Sequence, residues 1–293
     1  MVAAFGQRVI LEDPAGQRFP AFVGRRGLRA VCGDRVRWQR PGDKGDAIVV
    51  EVLPRDRVLS RPNHRGRVEV LAANLDQVVI VCAPEPRTDP FITDRYLAAA
   101  EAMGAAAAVV SNKSDLREAA EPPELAEYRA VGYPVLAASA HDGTGMAELS
   151  ALLAGHTSIL VGQSGVGKSS LLNALVPGIE LATASLSTST GEGRHTTTAT
   201  VLHPLPRGGA LIDSPGVRDY APALDDPGCV EPGFREIAAA APHCRFADCR
   251  HLREPDCAVK EAVEVGTISA RRYESYRRLL RLTNTLGRPE WAH

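Results

Sequence analysis

The stretch VGQSGVGKSSLLNAL, residues 161–175, places glycines at 162, 165 and 167 directly ahead of a lysine and two hydroxyls. Glycines at this spacing let a backbone fold inward so that its N–H groups point at phosphate oxygens. GQSGVGKS matches the phosphate-loop pattern GxxxxGK[ST], with a strand-like run before it and a helical run after it. In that chemistry Lys168 reaches the β- and γ-phosphates and Ser169 holds Mg²⁺. The helix dipole beginning near Lys168 adds attraction for anions. The expected phosphate-binding residues are Gly162, Gln163, Ser164, Gly165, Val166, Gly167, Lys168, Ser169 and Ser170.

NKSD, 112–115, follows a hydrophobic run and offers a second chemistry. The Asp115 carboxylate can accept two N–H bonds from the Watson–Crick edge of guanine, whereas adenine has no matching donor pair. Buried polar groups built for one base are left unpaired by the other, which makes the discrimination strong. Asn112 would brace the neighbouring loops, and the Lys113 stem would lie along the base. SAHDGTG (139–145) reads as a companion loop whose backbone at Ser139 and Ala140 meets the base, or as a plain Gly/Asp turn. DSPG (213–216) ends a strand as a DxxG switch would. Asp213 would contact Mg²⁺ through water, and the Gly216 N–H would sense the γ-phosphate. GRHTTT (193–198) lies in a Gly/Ser/Thr-rich stretch read as the first switch, with Thr197, or else Thr196, as a Mg²⁺ ligand. A surface loop is the competing reading.

From residue 112 onward the order is guanine motif, companion loop, phosphate loop, first switch, second switch. Rotating that list gives the usual order of a GTPase, so the pattern implies a circular permutation. Such a rearrangement keeps every contact and moves only the cut in the chain. Lysine usage supports both principal motifs. The chain uses arginine almost everywhere, yet two of its four lysines are Lys113 and Lys168, where a compact ammonium fits beside a base or phosphate and a planar guanidinium does not.

CRFADCRHLREPDC places Cys244, Cys249, His251 and Cys257 within fourteen residues, a spacing suited to a tetrahedral Cys₃His zinc site. His243 competes for the histidine position, and a disulfide is the alternative pairing. Four protein ligands would close the site and make the zinc structural. Cys32, Cys82 and Cys229 stand far away and read as buried or free thiols.

The elements that must hold these groups fall into three segments. Residues 1–60 carry short β-branched runs broken by Gly, Pro and Asp, read as a small all-β sandwich or OB-like barrel, and 58–70 form an arginine-rich link. From 75 strands alternate with helices, which implies a mainly parallel sheet covered on both faces. From about 220 the chain turns helical and irregular. The expected division is 1–68, an OB-like β-barrel; 69–222, a permuted α/β P-loop GTPase domain; and 223–293, a helical zinc-binding domain. The composition, 44% hydrophobic and 24% charged, is that of a soluble globular protein. No run approaches ~18 apolar residues, and the N-terminus shows no signal-peptide pattern, so a cytoplasmic protein with no membrane partner is expected. Charge is uneven: +6 over 1–70, −10 over 71–242 and +3 over 243–293. Basic ends suit a polyanion such as RNA, or simple solubility. In TISARRYESYRRLLRL, Arg271, Arg272, Arg277, Arg278 and Arg281 fit a solvated helix face about as well as an RNA-contacting one, and the zinc segment and basic N-terminal strands tip the reading toward RNA.

With these motifs together the chain resembles the circularly permuted, small-ribosomal-subunit-dependent GTPases of the RsgA (YjeQ) family. The resemblance runs over nearly the whole chain through NKSD, GQSGVGKSS, GRHTTT, DSPGVRDY and CRFADCRHLREPDCAV, and is loosest over the N-terminal strands. It implies a late assembly factor that binds the small ribosomal subunit and its rRNA and hydrolyses GTP to GDP when engaged. It also implies an OB-fold N-terminal domain, one zinc ion and a monomer. Val217 follows DSPG where many GTPases carry a water-orienting glutamine. Slow intrinsic turnover is therefore expected, with His195 as the candidate catalytic replacement, a role to which the resemblance also points. The rival expectations are a P-loop ATPase or kinase and a non-enzymatic RNA-binding scaffold.

Overall fold

The structure is a computed structural model describing residues 1–24, 28–41, 46–62, 68–116, 121–176, 178–179, 200–214, 224 and 226–286. Five N-terminal strands come first: β1 (Ala3–Phe5), β2 (Arg8–Glu12), β3 (Arg18–Val23), β4 (Val36–Gln39) and β5 (Ala47–Val52). The segment expected to be a link instead forms a hairpin of β6 (Val58–Pro62) and β7 (Val68–Ala73). Alternation then begins: β8 (Gln77–Cys82), α1 (Pro90–Met103), β9 (Ala106–Ser111), α2 (Pro123–Ala130), β10 (Val135–Ala137), α3 (Met146–Leu153), β11 (Thr157–Val161), α4 (Lys168–Leu175), β12 (Thr200–Pro204) and β13 (Ala210–Asp213). Three helices close the described chain: α5 (Arg235–Ala240), α6 (Ala258–Glu264) and α7 (Ala270–Leu286). Among the described residues no helix is long and apolar enough to cross a membrane.

Among the described residues eleven strands form one sheet in the order β10-β9-β8-β11-β13-β12-β1-β2-β3-β5-β4. β10, β9, β8, β11 and β13 run parallel, and β12 runs antiparallel to β13. Side chains of β8 alternate between two cores, as strand geometry requires. Val78 and Ile80 pack with Leu97, Leu125 and Tyr128 beneath α1 and α2. Val79 and Val81 pack with Leu149, Leu153, Leu171 and Leu172 beneath α3 and α4. The N-terminal strands are not a detached unit, because β1 pairs antiparallel with β12, Ala3 opposite Val201.

Helix α1 is framed by local chemistry. The Asp89 side chain accepts a hydrogen bond from the Phe91 N–H, proline occupies the first turn, and Gly104 ends the helix in the left-handed conformation at φ 65°. The C-terminal segment packs against this helix: Phe91, Ala98 and Ala99 share a core with Phe234, Ile237, Ile268, Tyr276, Leu279 and Leu280.

Two arginines read from sequence as exposed turn inward. Arg272, 1% exposed, bonds the fully buried Asp94 through Nη1 at 2.8 Å and Glu236 through Nε at 2.7 Å. Arg271 reaches Asp94 at 2.7 Å and Glu127 at 2.6 Å. Burial opposes the Arg272 charge, but Asp94 and Glu236 outweigh it and raise the guanidinium pKa. Arg277, Arg278 and Arg281 remain exposed.

Candidate nucleotide site and metal centre

The phosphate loop leaves the C-terminal end of β11, the central strand between β8 and β13, where open α/β sheets bind ligands. Its glycines are required by geometry. Gly162 has φ 137°, and a Cβ there would lie 2.2 Å from the Val81 carbonyl oxygen. Gly167 has φ 91°, and a Cβ there would lie 2.3 Å from Asn112 Nδ2. The Lys168 ammonium donates to the carbonyls of Gly162 and Gln163, each at 2.7 Å, so it lies folded over the loop it serves. Val166 is buried beneath the loop, whereas Ser164, Ser169 and Ser170 are exposed.

The guanine-type turn lies against this loop. Asn112, 1% exposed, donates from Nδ2 to the Val166 carbonyl at 2.8 Å. This bond joins residues 54 apart in sequence. Lys113 Nζ donates to the Glu85 carbonyl at 2.8 Å. The Ser139 hydroxyl, itself buried, donates to Asp115 Oδ1 at 2.6 Å and accepts from the N–H groups of His141 and Asp142. Ser139 thus orients the carboxylate proposed from sequence to read the base, and Ala140 follows it, half-buried. Hydrogen bonds from Asn112 N to Cys82 O and from Ala138 N to Ser111 O tie both loops to the strand ends.

Asp213 closes β13 and lines a small gap with Lys168 and Ser214. The Thr200 and Ser214 hydroxyls, 3.0 Å apart, join the start of β12 to the residue that follows β13. A carboxylate and a hydroxyl-bearing helix start beside the phosphate-loop lysine are hard oxygen donors of the kind Mg²⁺ takes. His195, Thr197, its alternative Thr196, Gly216 and Val217 lie outside the described residues.

The metal cluster is compact. The donor atoms of Cys244, Cys249, His251 and Cys257 all lie within 4.8 Å of one another. Tetrahedral zinc with bonds of about 2.3 Å to sulfur and about 2.05 Å to nitrogen requires S···S near ~3.8 Å and S···N near ~3.6 Å. The observed separations are 3.8 Å for Cys244–Cys257 and 3.5 and 3.4 Å from His251 Nδ1 to those sulfurs. His251 Nε2 is 3.0 Å from Glu231 Oε2, the carboxylate partner that fixes which ring nitrogen faces a metal. Burial, aided by the neighbouring thiols and opposed by a backbone hydrogen bond from His251, pushes the Cys249 thiol up to about 12, so a cation is what would favour thiolates there. The hydroxyls of Tyr273 and Tyr276 on α7 hold the carbonyls of His251 and Arg250. His243 is not part of the cluster.

The sequence reading passed over the loop from Ala83 to Asp89, which touches both nucleotide motifs. Besides the Lys113–Glu85 bond, Asp89 N donates to Gln163 Oε1 at 3.3 Å, and Pro86 lies 3.2 Å from where a Cβ on Gly165 would stand. The prolines at 84, 86 and 90 flanking a capping aspartate were the available signal for an ordered turn.

The RsgA GTPase family model matches residues 52–222. A small ribosomal subunit biogenesis GTPase RsgA of Ectopseudomonas mendocina (strain ymp) is 46% identical, over 96% of this chain and 84% of its own length. The RsgA of Azotobacter vinelandii is 45% identical, over 99% and 86%. The crystal structure of YjeQ from Thermotoga maritima matches with a TM-score of 0.75 at 33% identity, covering 98% of each chain. YloQ, a circularly permuted GTPase, matches with a TM-score of 0.74 over 99% of this chain and 95% of its own, and at 24% identity this shows the fold alone.

Proposed function

The chain belongs to the RsgA GTPase family, and from that premise we propose that it binds GTP with Mg²⁺, engages the small ribosomal subunit through its rRNA, and couples hydrolysis to late maturation of that particle. The observation that carries the nucleotide assignment is the 2.8 Å bond from Asn112 to Val166 O, which joins the guanine-type turn to the phosphate loop across the rotated chain order. Asp115, held by Ser139, pairs with the Watson–Crick edge of guanine. Lys113 flanks the base, and the backbone of Ser139 and Ala140 closes over it. Residues Gly162 to Ser170 wrap the phosphates, and Lys168 swings from the loop carbonyls to the β- and γ-phosphates.

Mg²⁺, when bound with GTP, neutralises charge on the phosphates. Ser169 and Thr197 would hold it directly and Asp213 through water, while the Gly216 N–H registers the γ-phosphate. Val217 cannot orient a nucleophilic water, so turnover alone is slow, and His195 takes that role when the small subunit is engaged. Zinc in the Cys244, Cys249, His251 and Cys257 cluster is structural, since protein donors fill a tetrahedral set. The division at 1–68, 69–222 and 223–293 is retained. The order β1-β2-β3-β5-β4 with a parallel β3–β5 pair supports an OB-like barrel in the first part. A cytoplasmic monomer completes the reading.

GTP turnover with and without purified small subunits tests it. Wild type accelerates on adding subunits, whereas His195→Ala keeps GTP affinity and loses the acceleration. No guanine-nucleotide turnover under either condition would end the assignment.

A further inference from the structure

The C-terminal helices grip one element of the nucleotide-binding sheet, helix α1, more closely than any apolar contact requires. Arg271 and Arg272 both bond Asp94 in its second turn, at 2.7 and 2.8 Å, from a carboxylate with no solvent exposure. About two turns further along α7, the Arg278 guanidinium stacks 3.9 Å over the Phe91 ring and stands 3.8 Å from Asp89, the capping residue of α1. That cap and the residues just before it touch the nucleotide motifs. Asp89 N bonds Gln163 of the phosphate loop, Pro86 abuts Gly165, and the Glu85 carbonyl holds Lys113.

Resting on the nucleotide reading above, we propose that Asp94, Arg271, Arg272 and Arg278 are positioning residues for the nucleotide site: α7 fixes the start of α1, and α1 fixes the loop 85–89 that sets the phosphate-loop tip and Lys113. None of the four belongs to the phosphate loop or to NKSD. Their effect passes through hydrogen-bonded backbone, so displacement of the C-terminal helices changes nucleotide affinity even when the switch segments are unaltered. This route is separate from one running through the second switch, because it enters the site from the opposite side of β11, by way of β8 and β9.

The test uses the full-length chain without ribosomal subunits and measures GDP affinity, kcat and KM for GTP, and thermal midpoint. Arg278→Ala removes a largely exposed side chain. It should weaken GDP binding about tenfold, equivalent to about 1.4 kcal/mol, with KM rising while kcat and the midpoint hold. Arg278→Lys, which keeps a cation over Phe91, should restore most of the affinity. Asp94→Asn should weaken GDP binding further. If Asp94→Asn fails to fold, Arg278→Ala remains decisive. Glu274→Gln is the control, since among the described residues Glu274 pairs with Arg277 and Arg281 on its own helix, and it should leave affinity unchanged. Wild-type GDP affinity in Arg278→Ala would overturn the proposal while leaving the nucleotide assignment standing. Failure of the wild-type chain to bind GDP would instead remove the assignment on which it rests.

Discussion

Gly167→Ala offers the sharpest test of how the two nucleotide motifs interlock. The new Cβ would stand 2.3 Å from Asn112 Nδ2, and the backbone there sits at φ 91°, ψ 24°. Holding a non-glycine residue in the left-handed region costs about 1–2 kcal/mol. The Asn112 amide must also move, which breaks its bond to Val166 O and strands a buried carbonyl, for about 1–3 kcal/mol more. The expected loss is therefore about 2–5 kcal/mol, with a fall of tenfold or more in GDP affinity. Gly104→Ala isolates the conformational part, because Gly104 has φ 65° with nothing within 4 Å of its Cβ position. Urea unfolding followed by circular dichroism should place the Gly167→Ala midpoint well below that of Gly104→Ala. In an Asn112→Ala background the clash vanishes, so Gly167→Ala should then cost no more than the strain. Equal costs at positions 167 and 104, or an unchanged cost in the Asn112→Ala background, would refute the reasoning.

Asp115→Asn should lower the preference for guanine over xanthine nucleotides by orders of magnitude, measured by competition binding. An unchanged preference would mean that the carboxylate does not read the base. Purified protein should contain one zinc per chain by metal analysis, and Cys257→Ser should lose the metal and lower the thermal midpoint. Burial, partly offset by Asp213, lowers the pKa of His203, so the folded state holds this histidine neutral. Its stabilising contribution is full above about pH 6.5 and is lost as pH falls toward the folded value. The thermal midpoint should therefore drop between about pH 7.5 and about pH 5.5 by more in wild type than in His203→Gln. Parallel profiles would exclude His203 as a source of acid sensitivity.

The chemistry was legible in sequence wherever it was written locally. The phosphate loop, NKSD and the cysteine spacing are short patterns whose geometry follows from a handful of consecutive residues, and the alternation of strands with helices from residue 75 was visible in the same way. The burial of Arg272 and the inward turn of Arg271 were not visible. In a helix an arginine pair reads as solvent-facing unless its partners are known, and Asp94 lies 177 residues from Arg271. The pairing of β1 with β12 was hidden for the same reason, since nothing in AAF at residues 3–5 specifies Val201 as its neighbour. The prolines of the loop 83–89 signalled an ordered turn but not its partners, because its hydrogen bonds to Lys113 and Gln163 are made by backbone atoms, which carry no residue signature.

The order of the strands has a consequence for how the molecule is made. Translation delivers β8, β9 and β10 before β11, so these three strands exist in the nascent chain while β8 lacks its central neighbour. That edge displays Val78 to Val81, all fully buried in the finished protein, and an unpaired apolar edge invites pairing with other chains. Nucleotide cannot help at that stage, because the residues that cradle phosphate have yet to be synthesised. The first half of this domain must therefore be sheltered, by the emerging chain itself or by a chaperone, for as long as it takes to translate residues 138 to 161.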